Sequence, residues 1–505
     1  MAFSQIAKGA IISYISIGIS IIISFLYTPW MIKQIGVSDY GLYNLALSLI
    51  SYFIMDFGLS TAVQRFIAKY RAENDVNKIS KILGLVLKAF LVIDLVIFLI
   101  LFVLYFFIEK LYVGLSPDEI SKFKTIYVIA GTFSVLTFLF KPSSGAMMAF
   151  EYFVDTKLLE MFHKVGMVVT IVVALLLGGG VEELIFITGA FGFLTSFLCY
   201  IVFRQKSKIR PDFLFWDKGT MKELLNFSGW IFIGNIAQRF RLSILPSVLG
   251  VLSTSAEISV LSLGMAIEGM VYMLSSALNG LFLPKVTSML HSGERNNVEY
   301  LMVRVGRVQE YIIAFILFGF WCLGQSFIEL WVGDGFRLSY YVVILLTLTN
   351  FVSLTQHIAG DMVYAENYVN YTGKFILISS LLGFLISVLT ASKLGAVGCA
   401  IGFCVAETTS LVLSNVFVIK KKLSVNLVYF FKNCQFKILP APFLLAVMVK
   451  LICFVFSING WFEFITIGLC YVIAYVAIMY YYIMDDYEKQ LVKNVYINFK
   501  ISIKG

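Results

Sequence analysis

Charged residues are scarce in this chain. Asp, Glu, Lys and Arg make up 14% of its 505 residues, whereas hydrophobic residues make up 60%. Soluble domains carry about 25% charged residues, so this sequence lacks the charge that covers a water-exposed surface. The scarcity excludes an ordinary soluble domain and predicts an all-α polytopic membrane protein whose surroundings are the lipid bilayer.

The chain also lacks a domain or arm rich in positive charge. Its net charge is +9, but Lys and Arg stand at the ends of apolar runs. Nucleic-acid-binding proteins gather basic residues on one face or along one helix. The pattern excludes nucleic acid as a partner and indicates signals of membrane topology.

Metal-ligand spacing and a cleavable leader are missing as well. The seven cysteines fall mostly inside apolar runs without CxxC spacing, so we expect no metal site and no cofactor. The segment from Met1 to Trp30 has an apolar core, begins with a single Lys8 and lacks a short region of small residues. This composition predicts a retained first span.

Long apolar runs are what the sequence has instead. About 20 apolar residues, rising about 1.5 Å each, cross the hydrocarbon core of a bilayer. Runs of this length predict about fourteen transmembrane helices. They lie near residues 10–32, 40–64, 80–108, 125–149, 157–177, 182–203, 223–248, 256–283, 301–326, 338–363, 372–391, 396–419, 437–457 and 462–483.

Basic residues concentrate in alternate loops between these runs. By the positive-inside rule those loops are cytoplasmic, which places both termini in the cytoplasm. No predicted loop is long enough for a soluble catalytic domain, so we expect no enzyme. The basic loops carry Arg65, Lys69, Arg71, Lys78 and Lys81; Arg204, Lys206, Lys208, Arg210, Lys218 and Lys222; Lys285, Arg295, Arg304 and Arg307; and Lys420, Lys421, Lys422, Lys432 and Lys437.

The two halves of the chain resemble each other at an offset of about 215 residues, a signature of internal repetition. Four segments match in the same order: 34–48 with 248–262, 108–114 with 328–333, 151–155 with 366–370, and 202–206 with 418–422. Each repeat has six spans, an even number, so both repeats begin on the same side of the membrane and are parallel. Carriers that rock two bundles around a central site have this arrangement. The predicted organisation is an N-lobe at 1–206, a basic cytoplasmic linker at 207–222, a C-lobe at 223–422, and two further helices with a cytoplasmic tail at 423–505.

Two short motifs carry a resemblance to a known family. Residues 39–42 read Asp-Tyr-Gly-Leu, and residues 56–62 read Asp-Phe-Gly-Leu-Ser-Thr-Ala before Arg65. With the six-plus-six repeat and two extra helices, the chain resembles the Wzx-type flippases, the polysaccharide-exporter branch of the multidrug/oligosaccharidyl-lipid/polysaccharide exporter superfamily. The resemblance implies a flippase for undecaprenyl-diphosphate-linked oligosaccharide, and it carries over Arg65 as a site cation.

Cations at membrane depth are the candidate ligands for a lipid diphosphate. Arg239 and Arg241 lie near the middle of the run at 223–248, where one arginine costs about 2.5 to 3.5 kcal/mol. They are about 200° apart around a helix, so one faces a cavity and the other a neighbour, unless an acid pairs with them. Lys141 precedes Pro142, which is expected to break the fourth span. Lys164, next to His163 in the fifth span, is the further candidate; snorkelling to an interface is the alternative for Lys141.

Acidic residues at membrane depth have two interpretations. They couple transport to protons or Na⁺, or they form ion pairs with the cations. His357 and Asp361 stand at i, i+4, a spacing that suits a proton relay or an ordinary hydrogen-bonded pair. The candidates are Asp56, Asp94, Glu268, Asp361 and His357.

The preferred function is export of lipid-linked oligosaccharide, an O-antigen or other polysaccharide repeat unit, from the cytoplasmic to the periplasmic leaflet by alternating access. A polysaccharide polymerase would be the partner that uses the product. A drug/cation antiporter of the same superfamily is the alternative, and it predicts essential acids in place of cations. A membrane polysaccharide polymerase or transferase is a third reading, against which the short external loops count.

Overall fold

The computed structural model describes residues 18, 21, 24–53, 59–275, 282–366, 368–456, 458–490 and 493. Within these ranges the chain is built from helices and contains no strand, which confirms the all-α membrane fold. Ten helical segments of the described chain are long and apolar enough to cross a bilayer. They are Val76–Leu111, Pro117–Ala149, Val154–Leu176, Val181–Ser207, Ser255–Leu274, Arg295–Val332, Asp334–Ser353, Val369–Lys420, Leu427–Val455 and Trp461–Ile483. The predicted count of about fourteen stays a prediction.

The α-helices are numbered here in chain order. They are α1 (Val37–Phe53), α2 (Leu59–Ala72), α3 (Val76–Leu111), α4 (Pro117–Phe138), α5 (Pro142–Ala149), α6 (Phe153–Leu176), α7 (Val181–Ser207), α8 (Lys218–Leu242), α9 (Leu245–Leu252), α10 (Ser255–Ser275), α11 (Leu283–His291), α12 (Arg295–Val332), α13 (Ser339–Thr347), α14 (Asn350–Ser353), α15 (His357–Ala365), α16 (Val369–Leu413), α17 (Leu427–Asn433), α18 (Gln435–Ile438), α19 (Pro440–Val455) and α20 (Trp461–Ile478).

Breaks within the helices follow proline and glycine. Pro142 stands in the first turn of α5, so the expected break of the fourth span is confirmed. Helix α16 reverses at Gly395, whose φ of +55° is in the region that favours glycine. Beyond it the chain packs antiparallel to itself, and the hydroxyl of Ser387 donates to the carbonyl of Cys399 at 3.3 Å across the hairpin. The predicted spans 372–391 and 396–419 thus form a helical hairpin.

The predicted span at 223–248 is wrong as a single helix. The chain forms α8, which ends at Leu242, and then α9, which has Pro246 in its first turn. Proline lacks the amide hydrogen that an uninterrupted helix would use, so it is tolerated at a helix start and breaks an interior.

The chain divides into two compact units. The first comprises Met1–Ser262 and Ile376–Ala406, and the second comprises Leu263–Phe375 and Glu407–Gly505. The basic linker at 207–222 lies within the first unit, where the amide of Asp212 donates to the carbonyl of Ser80 at 3.0 Å. These units do not coincide with the predicted lobes, whose boundaries stay a prediction.

In the first unit, small residues let the starts of α1 and α10 approach closely. A Cβ at Gly41 would overlap the carbonyl oxygen of Ser255. The hydroxyl of Ser259 donates to the carbonyl of Val37 across the same contact. Gly41 and Ser255 hold equivalent places in the matched segments 34–48 and 248–262. The glycine of the Asp-Tyr-Gly-Leu motif is therefore required by backbone proximity.

In the second unit, a buried ion pair ties the segment after the last span to α12. The guanidinium of Arg307 donates to both carboxylate oxygens of Glu488 at 2.6 and 2.7 Å, and the two side chains are only 5% and 7% exposed. Arg307 also donates to the carbonyls of Asn433 and Ile483, at 3.1 and 3.2 Å. Burial opposes ionisation of Glu488, but the hydrogen bonds from Arg307 outweigh it and lower the pKa of this carboxyl.

Replacing the motif glycine tests the close approach. Gly41→Ala is expected to destabilise the protein by about 1 to 3 kcal/mol, because the helices must part to admit the methyl group. Gly468→Ala is the control, since a Cβ there meets nothing within 4 Å and alanine is a better helix former. Thermal unfolding in detergent measures both. An unchanged midpoint for Gly41→Ala contradicts the contact.

Glu488→Gln is expected to cost about 3 to 5 kcal/mol of stability, since it leaves Arg307 buried without a counter-charge. Glu366→Gln is the matched control: it breaks a solvent-exposed pair with Arg295, which is worth about 1 kcal/mol or less.

The same ion pair makes stability depend on pH. Because the pKa of Glu488 is lowered in the folded state, the stability that ionised Glu488 contributes is complete above the ordinary glutamate pKa. It is lost as the pH falls through the folded value. The measurement is the difference in unfolding midpoint between the wild type and Glu488→Gln as the pH is lowered. A difference that stays constant down to strongly acidic pH would contradict this linkage.

Candidate functional site

A cavity of about 400 Å³ lies inside the first unit, among α1, α4, α6 and α7. Helix α7 supplies most of one wall with small and hydroxyl-bearing residues. Their spacing of three and four places them on one helical face. A Cβ at Gly192 would meet nothing within 4 Å, so this glycine leaves room open. The lining residues are Leu47, Ala130, Phe133, Ser134, Thr137, Lys141, Glu160, His163, Lys164, Ile185, Thr188, Gly189, Gly192, Thr195 and Ser196.

Basic groups line this cavity from one turn and one helix. Lys141 sits in the turn between α4 and α5 that Pro142 enforces, and its carbonyl accepts a hydrogen bond from the hydroxyl of Ser144 at 2.9 Å. Lys164 and His163 come from α6. One carboxylate, Glu160, stands a turn before them. The cavity thus holds two ammonium groups, an imidazole and a single acid.

The hydroxyl groups of the wall have a defined direction. Ser134 donates to the carbonyl of Ala130 at 2.7 Å, Thr188 to that of Leu184 at 2.8 Å, and Thr195 to that of Phe191 at 2.7 Å. A carbonyl only accepts, so each hydroxyl uses its single hydrogen on its own helix. These side chains consequently present lone pairs to the cavity.

The arrangement has two kinds of binding group. Ammonium groups bind phosphate oxygens, and oxygen lone pairs accept hydrogen bonds from the hydroxyls of a sugar. The volume falls within the range of small-molecule sites, which is about 300 to 1,000 Å³. Chemically, the cavity suits an anionic group joined to a hydroxyl-rich one.

Of the five cations predicted from the sequence, Lys141 and Lys164 line the cavity together. Arg241 is partly buried near the end of α8, and it is not among the lining residues. The backbone of Arg239 lies in α8, but its side chain is outside the described part of the structure. Arg65 is exposed on α2, also away from the lining. The roles predicted for the three arginines stay predictions.

The acids and the histidine predicted for ion coupling do not line the cavity where the structure describes them. Asp94 is 5% exposed in α3. Glu268 belongs to the second unit, within electrostatic range of Glu407. His357 and Asp361 share α15, and no side-chain hydrogen bond joins them in the described chain. Asp56 lies outside the described residues. Coupling to protons or Na⁺ stays a prediction.

Several residues that give the cavity its chemistry were not predicted from the sequence. Glu160, His163, Thr188 and Thr195 all line the cavity without having been selected. One signal was present: Thr188, Gly192 and Thr195 recur at helical spacing inside an apolar run. Such a stripe also fits ordinary helix packing, so it becomes informative only once the facing lysines are known.

The family of the chain follows from comparison with known proteins. A family model described as "Polysaccharide biosynthesis protein" matches residues 6–290. The chain belongs to the polysaccharide biosynthesis protein family. A relative of this family member, the "Uncharacterized membrane protein EpsK" of Bacillus subtilis (strain 168), is 22% identical in an alignment of 496 positions that covers 94% of each chain.

Solved structures of a flippase and of a transporter share the fold of this family member. "Lipid II flippase MurJ, inward closed conformation" is similar with a TM-score of 0.69 and 16% identity, over 92% of this chain and 99% of that one. A multidrug resistance MATE family transporter in its inward-facing conformation is similar with a TM-score of 0.58 and 14% identity, over 80% and 98%. The resemblance drawn from the short motifs is thereby confirmed at the level of family and fold.

The anion-binding capacity of the cavity is testable with inorganic pyrophosphate. We expect pyrophosphate to raise the unfolding temperature of the purified protein, and Lys141→Gln or Lys164→Gln to weaken its apparent affinity about tenfold, the loss of one charged hydrogen bond. Lys393→Gln is the control, because this lysine is exposed and outside the lining. Equal effects of all three substitutions would show non-specific charge binding and contradict the site.

Proposed function

We propose that this family member is a flippase that moves an undecaprenyl-diphosphate-linked oligosaccharide from the cytoplasmic to the periplasmic leaflet of a bacterial inner membrane. The observation that carries the proposal is the pairing of Lys141 and Lys164 with the lone-pair wall of Thr188 and Thr195 in one cavity. A lipid-linked sugar diphosphate offers the matching groups: phosphate oxygens beside a sugar rich in hydroxyl donors.

The likeness in fold to a flippase and to a transporter supports movement of a substrate over its chemical conversion. Alternating access between the predicted lobes would expose the cavity to each side in turn, with the polyprenyl chain remaining in lipid. Because the short loops leave no soluble catalytic domain, we propose no enzymatic activity. A polysaccharide polymerase would use the released product outside.

The direction of transport agrees with the membrane potential. Moving one elementary charge through 100 mV is worth about 2.3 kcal/mol. A negative interior drives an anionic head group outward, so export of a diphosphate is favoured without a coupling ion. The basic alternate loops place both termini in the cytoplasm in this proposal.

A drug/cation antiporter is the alternative that the MATE-like fold keeps open. A site for a cation needs negative charge in excess. The described cavity has Glu160 as its single carboxylate against Lys141 and Lys164. Like charges repel the cationic drug, so the cavity favours the anionic substrate.

Cells lacking the gene are expected to accumulate complete sugar-diphosphate-polyprenol units and to lose surface polysaccharide, because the units are made but not exported. Mass-resolved lipid extracts measure the pool. Complementation with Gly192→Leu should fail while the protein remains folded, since leucine extends into open space in the cavity. Gly468→Leu, which is also in open space but outside the cavity lining, should restore export. An unchanged pool with increased sensitivity to cationic drugs would favour the antiporter.

A further inference from the structure

The orientation of His163 is set by a neighbouring threonine. Nδ1 of His163 lies 3.2 Å from Oγ1 of Thr195. The hydrogen of Thr195 is already directed at the carbonyl of Phe191, which can only accept. Thr195 must therefore accept from the imidazole, and Nδ1 must carry a hydrogen.

This hydrogen bond leaves Nε2 as the nitrogen whose protonation can change. In the neutral ring Nε2 is an acceptor, and in the imidazolium it is a donor. An acceptor repels a phosphate oxygen, whereas an N–H donor on a cation binds it strongly. His163 lines the same cavity as Lys141 and Lys164, so an anion bound there lies within the field of the ring.

Several charged and polar groups stand around the cavity that His163 lines. Lys164 and Glu160 line it from the same helix, and Lys141 from the turn before α5; Glu160 is paired with Lys157 at 2.8 Å. From α7 the polar groups include the neutral Thr195 and the thiol of Cys199, which lies within electrostatic range of Glu160 and Lys141. The hydroxyl of Tyr43, from α1, lies 3.4 Å from that of Thr188. A diphosphate bound in this cavity adds negative charge, which favours the imidazolium form of the ring.

We infer that His163 is a phosphate-binding residue of this cavity, with Nδ1–H anchored on Thr195 and Nε2–H donated to a phosphate of a polyprenyl diphosphate. The inference rests on the proposed function and adds to it that substrate binding takes up a proton. Affinity then rises as the pH falls, because protonation supplies the Nε2–H donor. Thr195 is a positioning residue, since it acts through the ring.

Calorimetry of the purified full-length protein in detergent tests this inference. Farnesyl diphosphate and inorganic pyrophosphate are titrated at about pH 5.5 and about pH 8, on either side of imidazole titration. Each titration is run in two buffers of different ionisation enthalpy, so that the heats give the number of protons taken up. The ligand's own protons are common to all variants and cancel in the comparison with wild type.

Two substitutions separate the functions of the two nitrogens. His163→Gln places an amide near Nε2, so it can donate without titrating; we expect proton uptake to fall by up to one proton relative to wild type, with affinity near the wild-type value at high pH. His163→Asn keeps a donor near Nδ1 for Thr195 but removes Nε2; we expect about tenfold weaker binding at low pH. Lys164→Gln should weaken binding at both pH values and retain the proton uptake.

The outcomes distinguish this inference from the proposed function. Wild-type affinity and proton uptake in both His163 variants, with weakened binding in Lys141→Gln and Lys164→Gln, would overturn the role of His163 and leave the flippase proposal standing. Proton-linked binding of pyrophosphate without binding of farnesyl diphosphate would support His163 as an anion ligand and count against a lipid-linked substrate. Binding of neither compound by the wild type would overturn both.

Discussion

Hydrocarbon offers no hydrogen bonds, and the described structure depends on this constraint. Every backbone group at membrane depth must find its partner within the chain, which makes helices the solution. The same constraint acts on the small hydroxyl side chains, because Ser134, Thr188 and Thr195 direct their hydrogens at carbonyls of their own helices. The direction of those bonds then determines what the cavity can recognise, since only lone pairs remain for a ligand.

Buried charge obeys a stricter version of the same rule. An ion without a partner is expensive away from water, so a buried charge calls for a counter-charge or hydrogen bonds. Arg307 and Glu488 form such a pair, and the hydrogen bonds of Arg307 hold together three segments of the second unit. Lys141 and Lys164, by contrast, both line the cavity of the first unit.

The sequence predicted the class of fold and part of the site, for physical reasons that also set its limits. The length of an apolar run matches the thickness of the bilayer, so the spans could be recognised from the sequence. Pro142 predicted the helix break at which Lys141 lies. The convergence of Lys141 and Lys164 required tertiary packing of α4, α6 and α7, which periodicity does not encode. The cost of mid-membrane arginine drew attention to Arg239 and Arg241, whereas the described cavity is built from lysines and hydroxyls elsewhere. Pro246 was read as part of one run although it begins a second helix.

The contact of Gly41 with Ser255 has a consequence for how such a chain arises. In the predicted repeat these two positions are counterparts, so the prediction puts them at the axis that relates the two halves. In an ancestor made of two identical subunits, such a position would have faced its own copy, and both copies would have had to be small at once. Joining the subunits into one chain releases this restriction. One side can keep glycine for the close approach, while the other acquires a serine and the freedom to evolve polar contacts of its own.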